Sequence, residues 1–97
     1  MANVEYPQFK INGGGSNILL GFKAGKNITT GTENVAIGSI ALEDNNSGSG
    51  NVAIGREALA NNIGADNNVA IGKLAMYTNQ SGNENTAVGT EALRLNT

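Results

Sequence analysis

The chain has 97 residues, enough for one domain, with 6 Lys and Arg against 8 Asp and Glu and a net charge of −2. This balance argues against a nucleic-acid-binding surface and a polybasic membrane anchor. With no Cys and no His, the chain has no disulfide framework, no thiolate metal site, no Ser-His or Cys-His nucleophile pair and none of the commonest zinc ligand. Gly and Asn are abundant instead, with 14 and 16 copies, which indicates many tight turns.

The first 16 residues form a separate segment. Val4, Tyr6, Phe9 and Ile11 follow an extended pattern, and the glycines at 13–15 make a flexible joint. This pattern predicts an N-terminal arm, expected either to cap the element that follows or to dock the protein onto a larger assembly through Tyr6 and Phe9. The segment lacks the basic and apolar regions of a signal peptide, so no export signal is expected.

A 17-residue repeat fills the chain from residue 17 to residue 97. Three of its columns hold the same residue in all five repeats, which identifies a repeat protein. These columns are Asn17, Asn34, Asn51, Asn68 and Asn85; Gly21, Gly38, Gly55, Gly72 and Gly89; and Ala24, Ala41, Ala58, Ala75 and Ala92.

Each repeat is predicted to be one coil of a β-solenoid. A 17-residue unit is too short for helix-pair repeats, which need about 33 residues. The segment Asn-Val-Ala-Ile-Gly has β-branched residues at alternate positions and predicts a short strand, stacked in parallel at about 4.8 Å. We expect a second short strand or extended segment near residues 56–60, with a one-turn helix as the alternative. The Asn- and Gly-rich stretches at 44–50, 61–67 and 78–84 are expected to form turns.

The two faces of the predicted strand have different roles. Side chains alternate along a strand, so the central Ala points into the coil while the flanking Val and Ile lie on the other face. Because that outer face is also apolar, it needs a partner. The invariant Gly that follows is expected at a corner with positive φ or close backbone approach. The invariant Asn tolerates such corners and is able to stack as a hydrogen-bonded ladder.

The string Asn-Val-Ala-Ile-Gly-x-x-Ala-Leu resembles the YadA-like head repeat of trimeric autotransporter adhesins, which also occurs in bacteriophage tail fibres. The spacer at 78–84 is closer to the phage version. The resemblance covers residues 17–97 and implies a left-handed parallel β-roll in which three chains bury an apolar strand face along a threefold axis. It therefore implies a homotrimer. The expected interface residues are Val35, Ile37, Val52, Ile54, Val69, Ile71 and Val88.

The first coil departs from the pattern. Leu19 stands where the other coils have Ala, and Gly25 stands where they have Leu or Met. We expect this coil to pack less regularly than the others. At the other end the chain stops within a repeat at Thr97, so a continuation of the chain or another protein is expected to cover that end.

The sequence predicts a non-enzymatic structural or adhesive segment of a phage tail fibre or similar virion appendage, a rigid trimeric rod for host attachment that is assembled in the host cytoplasm. We expect no cofactor, no metal, no nucleic acid and no membrane insertion. Other virion proteins at the two ends and a host receptor remain open as partners. The alternative is an adhesin head on the bacterial surface that binds host matrix or glycans. The repeats offer only Phe22 and Tyr77 as aromatic residues, which disfavours a dedicated sugar site.

Overall fold

The computed structural model describes the backbone of residues 9–12 and all of residues 16–95, and over these residues it is an all-β solenoid. The strands are β1 (Phe9–Asn12), β2 (Asn17–Leu20), β3 (Val35–Ile37), β4 (Val52–Ile54), β5 (Val69–Ile71) and β6 (Thr86–Val88). They form one sheet in sequence order. Strands β2 to β6 are parallel, and each pairs in register with the strand one repeat away. The predicted solenoid is therefore confirmed, with about four turns.

Strand β1 lies along the first edge of the parallel sheet. It runs antiparallel to β2, and its pairing joins Phe9 to Leu20 and Asn12 to Asn17. An unpaired strand edge offers its backbone N–H and C=O groups to other chains, and β1 occupies that edge of β2. Of the two residues expected in a docking arm, Phe9 begins this strand and Tyr6 lies outside the described residues.

The interior of the solenoid consists of columns of apolar side chains. The central Ala of each strand points inward, and Ala36, Ala53 and Ala70 are fully buried. A second column carries most of the core volume, since the side chains of Leu42, Leu59 and Met76 are also fully buried. Each large side chain of this kind contributes about 1.5–3 kcal/mol when it is removed from water.

The second strand or extended segment that we predicted in each repeat is wrong. In the coil after β4, residues 55–62 form three overlapping turns instead. In each turn the N–H of the fourth residue donates to the C=O of the first residue, as from Ala58 to Gly55 and from Ala60 to Glu57. Glu57 and Leu59 have φ angles of 62° and 52°, so left-handed residues recur at every second position. This alternation suits neither a strand nor a helix, and residues 16–95 contain no helix.

Left-handed backbone at residues other than Gly recurs throughout the solenoid. Thirteen such residues have positive φ, in columns one repeat apart. An L-residue in this region costs roughly 1–2 kcal/mol, and a β-branched one such as Ile40 (φ 69°) is less common still. In the column of Leu42, Leu59 and Met76, burial of a large side chain offsets this cost. The fold thus uses core packing to hold turns that local preference disfavours.

The first coil keeps its core filled because a large and a small residue have exchanged places, with Leu19 in the Ala column and Gly25 in the column of Leu and Met. Leu19 is buried, and a Cβ atom built on Gly25 would lie 2.5 Å from Cδ2 of Leu19. Leu19 therefore occupies the space that Leu42 and its equivalents fill in the other coils. Ile28 also packs against this part of the core. The irregularity expected of this coil is a paired substitution rather than loose packing.

Candidate interface on the outer sheet face

The outward side of the sheet carries two straight rows of apolar side chains, which we call the outer apolar face. One row follows the first position of the three-residue strands and the other follows the third. The face consists of Ile18, Val35, Val52 and Val69 in the first row and Leu20, Ile37, Ile54, Ile71 and Val88 in the second. All seven residues that we predicted for a trimer interface lie on it. Ile18 and Leu20, which are not among the predicted interface residues, occupy the same repeat positions in β2.

The outer apolar face is open to solvent in the single chain. Ile18, Leu20, Ile71 and Val88 are exposed, with Val88 at 67%, whereas Val69 and the Val and Ile residues of β3 and β4 are half-buried. Contiguous apolar surface is typical of interaction sites, which makes this face the candidate interface.

A ladder of buried Asn side chains fixes the start of each strand. The Oδ1 atom of Asn34 accepts a hydrogen bond of 2.9 Å from the N–H of Asn51, and Asn51 accepts one in the same way from Asn68. The Nδ2 group of Asn51 donates to the C=O of Ala65, 2.8 Å away. Each side chain thus joins two coils and ties its strand to the turn region. Because a buried amide without partners costs about 1–3 kcal/mol per group, these pairs strongly favour one register.

A second Asn ladder crosses the turn side of the coils. Nδ2 of Asn62 donates to Oδ1 of Asn45 at 2.7 Å, and Nδ2 of Asn79 donates to Oδ1 of Asn62 at 3.2 Å. Their amide groups also donate to C=O groups three residues on, as from Asn62 to Ala65. Among the described residues no buried side-chain nitrogen or oxygen lacks a hydrogen-bond partner. The two ladders and the backbone bonds hold successive coils at a constant spacing.

The corner glycines end each strand and permit the coils to approach. All five expected corner residues (Gly21, Gly38, Gly55, Gly72 and Gly89) have φ between 127° and 131°, a region that favours glycine. A Cβ atom on Gly55 would also lie 2.7 Å from the backbone C and O atoms of Gly72 in the next coil. The backbone angle therefore favours glycine throughout this column, and at Gly21, Gly38, Gly55 and Gly72 the contact with the next coil requires it as well.

The described residues carry no cluster of potential metal ligands. Between residues 16 and 95 no three His, Cys, Asp or Glu side chains are grouped so that they could hold a metal ion. None of the described segments is a helix of the length and apolarity needed to cross a bilayer. The chemistry that the outer apolar face offers is the burial of apolar surface against another apolar surface.

The fold defines the class of this protein as a parallel β-solenoid with one apolar outer face. Comparison with protein-family models, with curated proteins and with solved structures finds no match to the chain.

Proposed function

We propose that this chain is a structural segment of a homotrimeric, rod-like appendage of the phage tail fibre kind, and that it has no enzymatic activity. The outer apolar face carries this proposal, because nine apolar side chains stand in two straight rows with no covering element among the described residues. A second copy of the same face is the natural cover, since homo-oligomers use identical surfaces related by symmetry.

The apolar area is large enough to support assembly. Full burial of a Val, Leu or Ile side chain contributes about 1.5–3 kcal/mol, and these side chains are already partly buried in the single chain. A gain of about 1 kcal/mol for each of the nine gives roughly 9 kcal/mol per protomer. Association costs about 4–15 kcal/mol for each copy that is immobilised, so the face provides the right order of free energy.

Three copies fit this face better than an open array. The face is narrow, since its two rows stand two residues apart and are separated by about 7 Å. Three narrow faces turned toward a common axis form a closed core in which every copy is equivalent. The resemblance of the repeat to trimeric heads supports the same number.

The mechanical role follows from the bonding along the solenoid axis. Buried Asn ladders and backbone hydrogen bonds connect every coil to the next, so bending or stretching would break several buried bonds together. A trimer of such chains is a stiff spacer suited to projecting a host-binding part from a virion. In this proposal the N-terminal arm attaches the segment to another virion protein, and assembly takes place in the host cytoplasm.

A matched pair of substitutions tests the proposed interface. Ile71 on the outer apolar face and Ile63 on a turn have similar exposure in the single chain, at 37% and 49%. Ile71→Asp would bring three carboxylates together near the threefold axis, so we expect loss of the trimer, whereas Ile63→Asp should leave it intact. Light scattering on both variants measures this directly. If both variants stay trimeric, or both dissociate, the face assignment is wrong.

A further inference from the structure

Charged residues of opposite sign flank the strands of the outer apolar face. We call the side of the face where the strands begin its acidic edge and the side where they end its basic edge. Glu33 and Glu84 stand two residues before their strands, and Arg56 and Lys73 stand two residues after theirs. All four side chains are exposed. The ion pair between Arg94 and Glu91 is the only one in the described part of the chain, so these four charges have no oppositely charged partner within 4.0 Å there.

The four charges also have a matching order along the solenoid axis. Glu33 belongs to the coil of β3 and Arg56 to the next coil, that of β4. Lys73 belongs to the coil of β5 and Glu84 to the next, that of β6. Along the solenoid axis, each acidic residue is therefore offset by one coil, or about 4.8 Å, from a basic residue on the opposite edge. Long side chains readily span such an offset.

We propose that these edges orient the copies of the chain: in the trimer proposed above, on which this inference rests, the acidic edge of one copy faces the basic edge of its neighbour. Rotation about an axis parallel to the solenoid brings opposite edges together and pairs Glu33 with Arg56 and Glu84 with Lys73 across each junction. An antiparallel pair of faces brings like edges together instead, with Glu33 toward Glu84 and Arg56 toward Lys73. The charges thus select the parallel, in-register arrangement.

The apolar rows alone do not make this selection. Val and Ile recur at the same positions in β3, β4 and β5, so a copy that is shifted by one coil or reversed still buries most of its apolar face. Exposed ion pairs add little affinity individually, but like charges brought together disfavour wrong pairings. Register and direction are the properties that such charges control.

Thiol cross-linking tests the orientation without disturbing the core. The chain has no Cys, so introduced thiols are the only reactive ones. In a parallel trimer, Glu33→Cys/Arg56→Cys should form covalent dimers and trimers with a short bismaleimide on a denaturing gel. Glu33→Cys alone and Glu33→Cys/Glu84→Cys should give monomers. Cross-linking of the acidic pair, or a trimer in which Glu33→Cys/Arg56→Cys does not react, would overturn the inference.

Charge reversal provides a second, independent measurement. We expect Arg56→Glu/Lys73→Glu to raise the concentration of half-dissociation by about tenfold or more at low salt, with a smaller effect in about 1 M salt, where the screening length falls to about 3 Å. Adding Glu33→Lys and Glu84→Lys to that variant should restore wild-type assembly, because every pair is then complementary again. A double variant that assembles like wild type, or a quadruple variant that is not restored, contradicts the inference while leaving the trimer intact. A monomeric wild-type chain refutes the proposed trimer itself.

Discussion

Substitution of a corner glycine separates the two physical reasons for its presence. Gly55 and Gly89 have nearly the same φ, at 127° and 130°, but differ in what lies above them. A Cβ on Gly55 would lie 2.7 Å from backbone atoms of Gly72, whereas the nearest atom to a Cβ on Gly89 is the Cβ of Ala92 at 3.9 Å. Ala at either position is strained by the backbone angle, and only Ala at position 55 also forces two coils apart.

The expected magnitudes follow from these contacts. Gly89→Ala should lower the free energy of unfolding by about 1–3 kcal/mol, which is the cost of an L-residue in a sparsely populated backbone region. Gly55→Ala should cost about 2 kcal/mol more, because the obstructing atoms belong to the backbone and overpacking of this kind typically costs about 1–3 kcal/mol. Denaturant unfolding at one fixed protomer concentration measures both. Equal losses would refute the contact between coils, and no loss in either variant would refute the backbone argument.

Three further predictions concern the core and the repeat. Leu19→Ala should lower the free energy of unfolding by about 2–5 kcal/mol, and Gly25→Leu should also destabilise the protein. The double variant recreates the pattern of the other coils, so it should recover most of the stability in thermal melts. Simple addition of the two losses would contradict the exchange of volume between positions 19 and 25. Asn51→Ala should cost about 2–4 kcal/mol in denaturant unfolding, because it leaves buried groups of two neighbouring coils without partners, and a loss below about 0.5 kcal/mol would argue against the ladder. Deletion of residues 51–67 removes one whole coil and should leave a folded protein by circular dichroism, whereas a nine-residue deletion from the same start shifts the columns and should prevent folding; the reverse order would show that the repeat is not the structural unit.

The strands and their faces could be predicted from the sequence because the chain contains both a 17-residue repeat and a two-residue alternation within each strand. A 17-residue repeat gives the stacking of coils, and alternation within Val-Ala-Ile gives the face of each side chain. The structure places Ala53 inside and Val52 and Ile54 outside, as this alternation predicts. These inferences need only local spacing, which a sequence contains directly.

The turns that directly follow each strand, such as residues 55–62, could not be predicted from the sequence, because packing imposes their backbone angles. Nothing about Glu57 or Leu59 as residue types indicates a left-handed conformation, and both have helical preference. Leu59 adopts it because its side chain then enters the core between equivalent residues of adjacent coils. The exchange between Leu19 and Gly25 was hidden for the same reason, since only the turn geometry brings position 25 against position 19. The proposed cover of the outer apolar face belongs to an assembly rather than to one chain.

The mass of the native protein in solution tests the central claim most directly, because the proposed function requires the outer apolar face to be buried between copies. Sedimentation equilibrium over a range of protomer concentrations gives this mass without a shape assumption. We expect three times the mass of one chain, persisting to low concentration. A folded, stable monomer that keeps its outer apolar face in water would contradict the account.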